Sequence, residues 1–161
     1  MSSTITLRHH EADDMSWVIR QQGLLYQQEY GWDESFEALV AQICADFIKN
    51  YDPQKERCWI AEMQGERVGS IFCVKVSEDV AKLRLLFVLS KARGLGLGTR
   101  LVEECIRFAK RSGYKKLTLW TNDVLVQARK IYEKNGFKLV EEEHHHSFGH
   151  DLVGQNWDLD L

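Results

Sequence analysis

The 161-residue chain lacks several features that mark whole classes of protein. It has a single proline, Pro53, and no repeat or low-complexity stretch, which argues against a fibrous or disordered chain. Its four cysteines form no Cys-x-x-Cys pair and are scattered along the chain at Cys44, Cys58, Cys73 and Cys105. We therefore expect reduced thiols in or near the core rather than a disulfide framework.

The sequence also lacks an apolar run of the ~18 residues that a membrane span needs. Its first residues contain no basic segment followed by an apolar one, so a secretory signal is not predicted. Lys and Arg total 21 against 24 Asp and Glu, a net charge of −3, and a slightly acidic surface is poorly suited to nucleic acid. We expect a cytoplasmic protein that acts on neither membranes nor nucleic acid.

Apolar residues make up 44% of the chain, enough for one well-packed domain over residues 1–161. Hydrophobic periodicity predicts a mixed α/β domain of order β-α-α-β-β-β-α-β-α-β-β, with a polar loop between the last two strands. The predicted strands are 4–8, 58–63, 68–76, 82–89, 116–120, 137–142 and 152–161. The predicted helices are 14–28, a segment capped by Asp33, 97–111 and 124–134.

A glycine-rich segment joins the predicted strand at 82–89 to the helix at 97–111. Gly94, Gly96 and Gly98 permit a tight turn, and the first amides of a helix have no partners within it. Such a loop favours a phosphate or pyrophosphate, the alternative being a plain turn that starts the helix. A dinucleotide fingerprint would need a small residue where Thr99 or Leu101 stands, and a Walker loop would need lysine after Gly98. The spacing therefore fits neither common nucleotide motif.

Three segments of this region resemble motifs of the GNAT family of N-acetyltransferases. Arg93-x-x-Gly96-x-Gly98 is similar to the family's pyrophosphate loop, and 117–122 is similar to its fifth strand with the asparagine that follows. The segment 128–137 is similar to the signature Ala-x-x-Leu-Tyr-x-x-x-Gly-Phe. The three occur in the family's order and at its spacing, and one departure is Ser90, where many members carry proline.

The flanking thirds have a more specific resemblance, to the acetyltransferase domain found fused behind MarR-type DNA-binding domains. It rests on the segments 25–32 and 145–155. No winged-helix segment precedes these residues, so we expect the acetyltransferase domain standing alone.

The GNAT resemblance implies a mixed, mostly antiparallel sheet of about seven strands with four helices, in which the fourth and fifth strands splay apart. It implies acetyl-CoA as cosubstrate and no metal. The backbone of the fourth strand would bind the pantetheine arm, and one of its amides would polarise the thioester carbonyl. The implied cofactor-binding residues are Phe87, Val88, Leu89, Arg93, Gly94, Leu95, Gly96, Leu97, Gly98, Thr99, Asn122 and Tyr132.

By the same resemblance, Tyr132 is the predicted general acid that protonates the departing thiolate. Taken alone, Tyr132 would be a core tyrosine and Asn122 an ordinary helix cap. The general base stays open among Glu29, His145, His146 and a water held by backbone groups.

The acceptor side is predicted from aromatic and acidic residues near the first helix, which favour a small cationic molecule. A run of adjacent histidines adds further candidates, but it is not predicted to bind a metal, because neighbouring strand residues point to opposite faces. The acceptor-site candidates are Tyr26, Glu29, Tyr30, Trp32, His145 and His146.

The predicted function is direct transfer of acetyl from acetyl-CoA to a primary amine in a ternary complex. Two alternatives stay open: acetylation of a protein N-terminus or lysine, and a non-catalytic module that senses acyl-CoA. A closed aromatic pocket would favour a small acceptor, whereas an open groove flanked by acidic residues would favour a protein. Family members often pair through their late strands, so a homodimer is a further expectation.

Overall fold

The computed structural model describes residues 4–161, which form one seven-stranded sheet with helices on both faces. The sheet order is β1-β2-β3-β4-β5-β7-β6, and every neighbouring pair is antiparallel except β4 and β5. The strands are β1 (Ile5–His9), β2 (Arg57–Met63), β3 (Glu66–Lys75), β4 (Val80–Val88), β5 (Lys116–Asn122), β6 (Lys138–Ser147) and β7 (His150–Asp160). The helices are α1 (Asp14–Tyr30), α2 (Glu34–Asn50), α3 (Leu97–Arg111) and α4 (Val126–Lys134). The predicted mixed, mostly antiparallel sheet with four helices is confirmed.

Two hydrophobic cores hold the helices on the sheet. On one face, Val18 of α1 and Val40 of α2 pack with Phe72 of β3, and on the other Leu101 of α3 packs with Leu117 of β5. All four cysteines are buried and unpaired, in agreement with the expected core thiols. Within residues 4–161, no helix combines the length and apolar character needed to cross a bilayer.

The sheet opens between β4 and β5. These parallel strands pair only as far as Leu83 and Leu119. Directly beyond that point the register of β3 against β4 shifts between Ser70 and Phe72, and Leu85 adopts a φ of +52°, which together mark a bulge in β4. The strands separate after the bulge, so the predicted splaying is confirmed.

Two buried side chains fix the bulge. Gln22 Nε2 on α1 and Ser70 Oγ on β3 donate to the Leu85 carbonyl oxygen at 3.4 and 3.3 Å. Buried polar groups need partners within the protein. These two hydrogen bonds supply partners for the side-chain amide of Gln22, the hydroxyl of Ser70 and the carbonyl of Leu85 at once. They also attach α1 to the place where the sheet opens.

The last two strands differ from their prediction. The expected polar loop is wrong, because β6 continues to Ser147 and β7 begins at His150. Phe148 and Gly149 form a two-residue turn with φ of 58° and 82°, a geometry that matches the twist of paired antiparallel strands. Phe148 is an unusual residue at positive φ, and its ring packs on Trp32 at a centroid distance of 4.9 Å. This tertiary contact, which no local pattern shows, holds the turn.

Asp14 links α1 to the sheet from a fully buried position in the first turn. Its carboxylate lies 2.8 Å from Nη1 of Arg8 on β1 and 2.9 Å from Nη1 of Arg67 on β3, and it accepts the Glu11 N–H. Burial alone would raise the pKa of Asp14, but these partners bring the pKa below its ordinary value. The carboxylate therefore stays charged and joins the helix to two strands.

Asp14→Asn should lower the free energy of unfolding by about 3 kcal/mol, because two partly buried arginines lose their anion. As a matched control, Asp13→Asn removes an exposed carboxylate 3.8 Å from Arg67 and should cost less than about 1 kcal/mol. Chemical denaturation at neutral pH measures both. Equal losses in the two variants would contradict the anchoring role of Asp14.

The same anchor gives a pH dependence with a defined sign. Since the folded pKa of Asp14 is depressed, its contribution is present above the unfolded carboxyl pKa of ~4 and is lost as the pH falls through the folded value. The unfolding free energies of the wild type and Asp14→Asn should therefore converge in acid.

Candidate functional site

The separation of β4 and β5 creates a cleft with two adjoining cavities. The loop cavity, about 530 Å³, is bordered by the glycine-rich segment 93–99, α1 and α4. The hairpin cavity, about 370 Å³, is bordered by the α1–α2 connection, β4, the end of β5 and the β6–β7 hairpin. The two join into one cleft through the residues that line both: Tyr26, Leu86, Leu125 and Ala128.

The loop cavity is bordered by backbone amides that have no acceptor. A short 3₁₀ turn at Ser90–Ala92 leads into the loop, and α3 begins after Gly96, which offers no side chain to cap it. The first helical hydrogen bond runs from the Arg100 N–H to the Gly96 carbonyl, at 3.1 Å. Across residues 4–161 nothing accepts from the amides of 94–99, so these successive donors are free for an anion at a helix N-terminus.

Gly94 and Gly96 allow the backbone of this loop to adopt its left-handed conformation. Both have positive φ, 78° and 75°, and a Cβ on either would meet no atom within 4 Å. Gly98 differs, because a Cβ there would lie 2.7 Å from Cδ1 of Ile131 on α4. Two glycines therefore serve the backbone conformation, and the third lets α3 approach α4.

Arg93 and Glu29 form an ion pair that borders the loop cavity. Arg93 Nη1 lies 2.5 Å from Glu29 Oε1, and Arg93 Nε donates to the Val88 carbonyl at 3.3 Å. Glu29 does not line the hairpin cavity, and its carboxylate is already engaged by a guanidinium. The structure thus places Glu29 beside the glycine-rich loop, together with Tyr30.

The predicted residues of β4 and the loop separate into two groups. Phe87 and Val88 line the loop cavity at a place where β4 has no partner strand on its β5 side. The loop residues 93–99, apart from Leu95, line the same cavity. Leu95 is exposed, and the Leu89 N–H donates to the Val68 carbonyl of β3 at 2.8 Å. Leu89 and Leu95 therefore lie outside the cavity lining.

Tyr132 and Asn122, expected with the cofactor-binding group, line the hairpin cavity. Tyr132 is buried on α4, and its hydroxyl has no hydrogen-bond partner in the described chain, residues 4–161. Burial raises the pKa of Tyr132, so the hydroxyl stays protonated.

Asn122 does not cap α4, because the helix begins at Val126 without a side-chain cap. The alternative that Asn122 is an ordinary helix cap is therefore wrong. The Oδ1 of Asn122 instead lies 2.8 Å from Nε2 of His145.

The alternation of β6 puts its histidines on opposite faces. His145 lines the hairpin cavity, and its Nδ1 lies 2.8 Å from Ser147 Oγ. Because an amide oxygen only accepts, the Nε2 that faces Asn122 carries the proton, and Nδ1 accepts from the Ser147 hydroxyl. His146 lies outside the cavity and pairs with Asp151 at 2.8 Å. In residues 4–161 no three His, Cys, Asp or Glu side chains are grouped to hold a metal ion.

Aromatic rings close the hairpin cavity beside the α1–α2 connection. Tyr26 stacks on Trp32 with ring centroids 5.1 Å apart, and Phe148 from the hairpin turn lies 5.1 Å from Phe36. All four rings line the cavity. Aromatic rings from the α1–α2 connection and from the hairpin turn therefore form part of the cavity wall.

Among the residues that line the hairpin cavity, those that sequence reasoning missed include Lys82, Arg84, Trp120 and Ser147. Alternation along β4 was an available signal, because residues two apart on a strand share a face. The bulge that turns this face toward a cavity leaves no local pattern, and neither does the packing of Trp120 against β7.

With this geometry described, known proteins can be compared. The model of the acetyltransferase (GNAT) family matches residues 12–137, and the chain belongs to this family. An uncharacterized N-acetyltransferase of Schizosaccharomyces pombe is 29% identical over 139 residues, covering 84% of this chain and 81% of that protein. The N-acetylaspartate synthetase of Xenopus tropicalis is 35% identical over 104 residues, 63% of this chain and 38% of that protein.

A Salmonella typhimurium protein solved with its cofactor acetyl-CoA has the same fold. Its TM-score is 0.77 at 15% identity, with 98% of this chain and 94% of that chain covered. The chain is thus a transferase of the GNAT type by family and by fold. The finer resemblance to the MarR-linked domain stays a prediction.

Trp120 reaches the hairpin cavity by packing over Gly154 of β7. A Cβ on Gly154 would lie 1.9 Å from Cζ2 of Trp120, so Gly154→Ala must displace the indole. We expect a loss of about 1–3 kcal/mol in unfolding free energy. In a Trp120→Ala background the same substitution should cost little, and a double-mutant cycle by chemical denaturation measures the difference. An equal cost in both backgrounds would show that Trp120 is not the obstacle.

Proposed function

We propose that the protein is an acetyl-CoA-dependent N-acetyltransferase that transfers an acetyl group to the primary amine of a small molecule, by direct attack in a ternary complex. The observation that carries the proposal is the row of unpartnered amides at 94–99, beside the gap between β4 and β5. Such amides and the positive end of a helix stabilise a pyrophosphate. The acetyl-CoA held by the Salmonella neighbour supports the same cosubstrate here.

The cosubstrate would follow the cleft from the glycine-rich loop to the hairpin cavity. The amides of the loop and Arg93 would hold its pyrophosphate, and the backbone of β4 at Phe87 and Val88 would bind the pantetheine arm. One amide of β4 would polarise the carbonyl, an arrangement that stabilises developing negative charge. When bound, acetyl-CoA supplies the thioester, whose C–S bond breaks as the amine nitrogen bonds to the acetyl carbon.

Tyr132 is the proposed general acid. Its side chain is buried on the cavity wall, its hydroxyl has no hydrogen-bond partner in residues 4–161, and its raised pKa keeps the proton in place until a strong base appears beside it. A departing thiolate is such a base, and Tyr132 would donate its proton to the sulfur. The hydroxyl therefore needs no partner of its own in the resting protein.

His145 is the proposed general base, acting through Ser147. The attacking amine must lose a proton as the new bond forms. Ser147 lines the hairpin cavity and donates to Nδ1 of His145, so the amine proton can pass to Ser147 Oγ while the serine proton passes to the imidazole. Glu29, paired with Arg93, would position that guanidinium beside the pyrophosphate.

The aromatic rings that line the hairpin cavity support a small acceptor over a protein. The name of the Xenopus relative states that it synthesises N-acetylaspartate, which for this chain supports an amine on a small molecule. The expected preference for a cation relied on Tyr26, Tyr30 and Trp32 together with one acidic residue, Glu29, and the charge of Glu29 is offset by Arg93. We therefore keep the small amine and not the cationic preference.

Incubation with acetyl-CoA and a panel of small amines and lysine peptides tests the proposal. We expect an acetylated small amine, identified by mass spectrometry, and one free CoA thiol per product. Acetylation of peptides alone would contradict the small acceptor. Tight acetyl-CoA binding without turnover on any amine would favour the sensing alternative.

Tyr132→Phe should lower kcat by about 100-fold or more while the Kd for acetyl-CoA changes by less than about twofold, because only the acidic proton is lost. Tyr114→Phe is the matched control. Its hydroxyl donates to the Lys55 carbonyl at 2.7 Å, apart from both cavities, so this variant should lose stability and keep its kcat. Full activity of Tyr132→Phe would exclude the proposed acid.

His145→Gln should lower kcat by about 100-fold, because glutamine keeps hydrogen-bonding capacity but cannot take the proton. Ser147→Ala should cause a comparable loss by interrupting the relay. His146→Gln, on the opposite face of β6, is the control and should leave steady-state kinetics unchanged. If His145→Gln and His146→Gln behave alike, a bound water is the better candidate for the base.

A further inference from the structure

Two cations line the hairpin cavity without an ion-pair partner. Lys82 and Arg84 are half-buried and share one face of β4. The charged group that acts on Lys82 is Arg84, and the carboxylate that acts on Arg84 is Asp46 of α2. Asp46 accepts from Gln42 at 2.9 Å and forms no ion pair with Arg84. In the described part of the chain, 4–161, neither Lys82 nor Arg84 forms an ion pair, although Arg84 also borders a neighbouring cavity whose wall includes Asp46, Asp52 and Glu56.

Two neighbouring cations without an ion pair are unfavourable in an empty cavity. Burial together with Arg84 lowers the pKa of Lys82, and burial lowers the pKa of Arg84. The other titratable groups of the cavity wall are Glu143 and His145 on β6 together with Tyr26 and Tyr132, and the one carboxylate among them, that of Glu143, belongs to an exposed residue. An anion placed between Lys82 and Arg84 would relieve their repulsion.

We propose that the acceptor carries a carboxylate in addition to its amine, and that Lys82 and Arg84 bind this carboxylate. The inference rests on the proposed function and names its substrate class: a small amino acid or amino carboxylate. A guanidinium holds a carboxylate through two parallel hydrogen bonds, and an ammonium adds a point charge.

The placement of polar groups suits a molecule with two ends. The cavity brings together the cations of β4 and the His145–Ser147 pair of β6, although β5 and β7 lie between these strands in the sheet. A carboxylate on the first pair leaves the amine for the second. Trp120 and the rings of Trp32 and Phe36 supply apolar walls between them.

The test compares acceptors that carry a carboxylate with acceptors that lack one, and glycine against glycinamide is the matched pair. Glycine, aspartate and glutamate are measured against glycinamide, ethanolamine and putrescine, with steady-state kinetics at saturating acetyl-CoA. We expect at least one of the acids to have a kcat/KM about tenfold or more above that of every carboxylate-free amine, because a charge-assisted pair is lost in the latter.

The variants Lys82→Met and Arg84→Met should each raise KM for the preferred acid by about tenfold and change the KM of the carboxylate-free amines much less. Methionine keeps much of the apolar stem, so the cavity keeps its shape. The control variants Lys110→Met and Arg111→Met remove one lysine and one arginine charge from the exposed last turn of α3. They should leave the KM for the preferred acid unchanged. Acetyl-CoA affinity and melting temperature verify that every variant is folded.

Calorimetric binding of the same acids, without acetyl-CoA, separates this inference from the proposed function. Binding that is lost in Lys82→Met and Arg84→Met, with no transfer under any condition, would keep the inference and overturn the proposed function. Transfer to putrescine or glycinamide as fast as to the acids, or a KM for acids that neither variant moves, would overturn the inference and leave the function intact. If the protein neither binds nor acetylates any of the acids, the carboxylate inference is overturned as well.

Discussion

Pairing between the two central parallel strands stops at Leu83 and Leu119, and the site depends on this interruption. The bulge at Leu85, held by Gln22 and Ser70, prevents the ladder from resuming. Backbone groups on the open edge of β4 are left without strand partners in the middle of a sheet, where backbone groups are normally all paired. A ligand that supplies those partners therefore belongs in the gap, and both cavities meet there.

Helix α1 connects the gap between β4 and β5 to the rest of the molecule. Its first turn is anchored to the sheet by the buried carboxylate of Asp14, and its middle holds the bulge through Gln22. Its last turns supply Tyr26 to both cavities and Glu29 to the ion pair with Arg93. One helix thus connects an ionic anchor that sets stability to the groups that shape the cleft.

The fold and the glycine-rich loop could be predicted from sequence because their causes are local. Positive φ at Gly94 and Gly96 needs glycine, and strand and helix periods are visible over a few residues. The position of Asn122 and Tyr132 on the hairpin side, and the importance of Lys82 and Arg84, could not be predicted, because they depend on a bulge and a hairpin fixed by contacts distant in sequence. The predicted polar loop failed for the same reason at Phe148.

The most direct measurement is a calorimetric titration of the protein with acetyl-CoA, with CoA and NADH as comparators. Each offers a pyrophosphate, but only the first two carry the pantetheine arm that the gap beside β4 would hold. We expect one-to-one binding of acetyl-CoA and CoA with a Kd on the order of micromolar, and no detectable binding of NADH. No binding of acetyl-CoA would contradict the account and reduce the 93–99 loop to a turn at the start of α3.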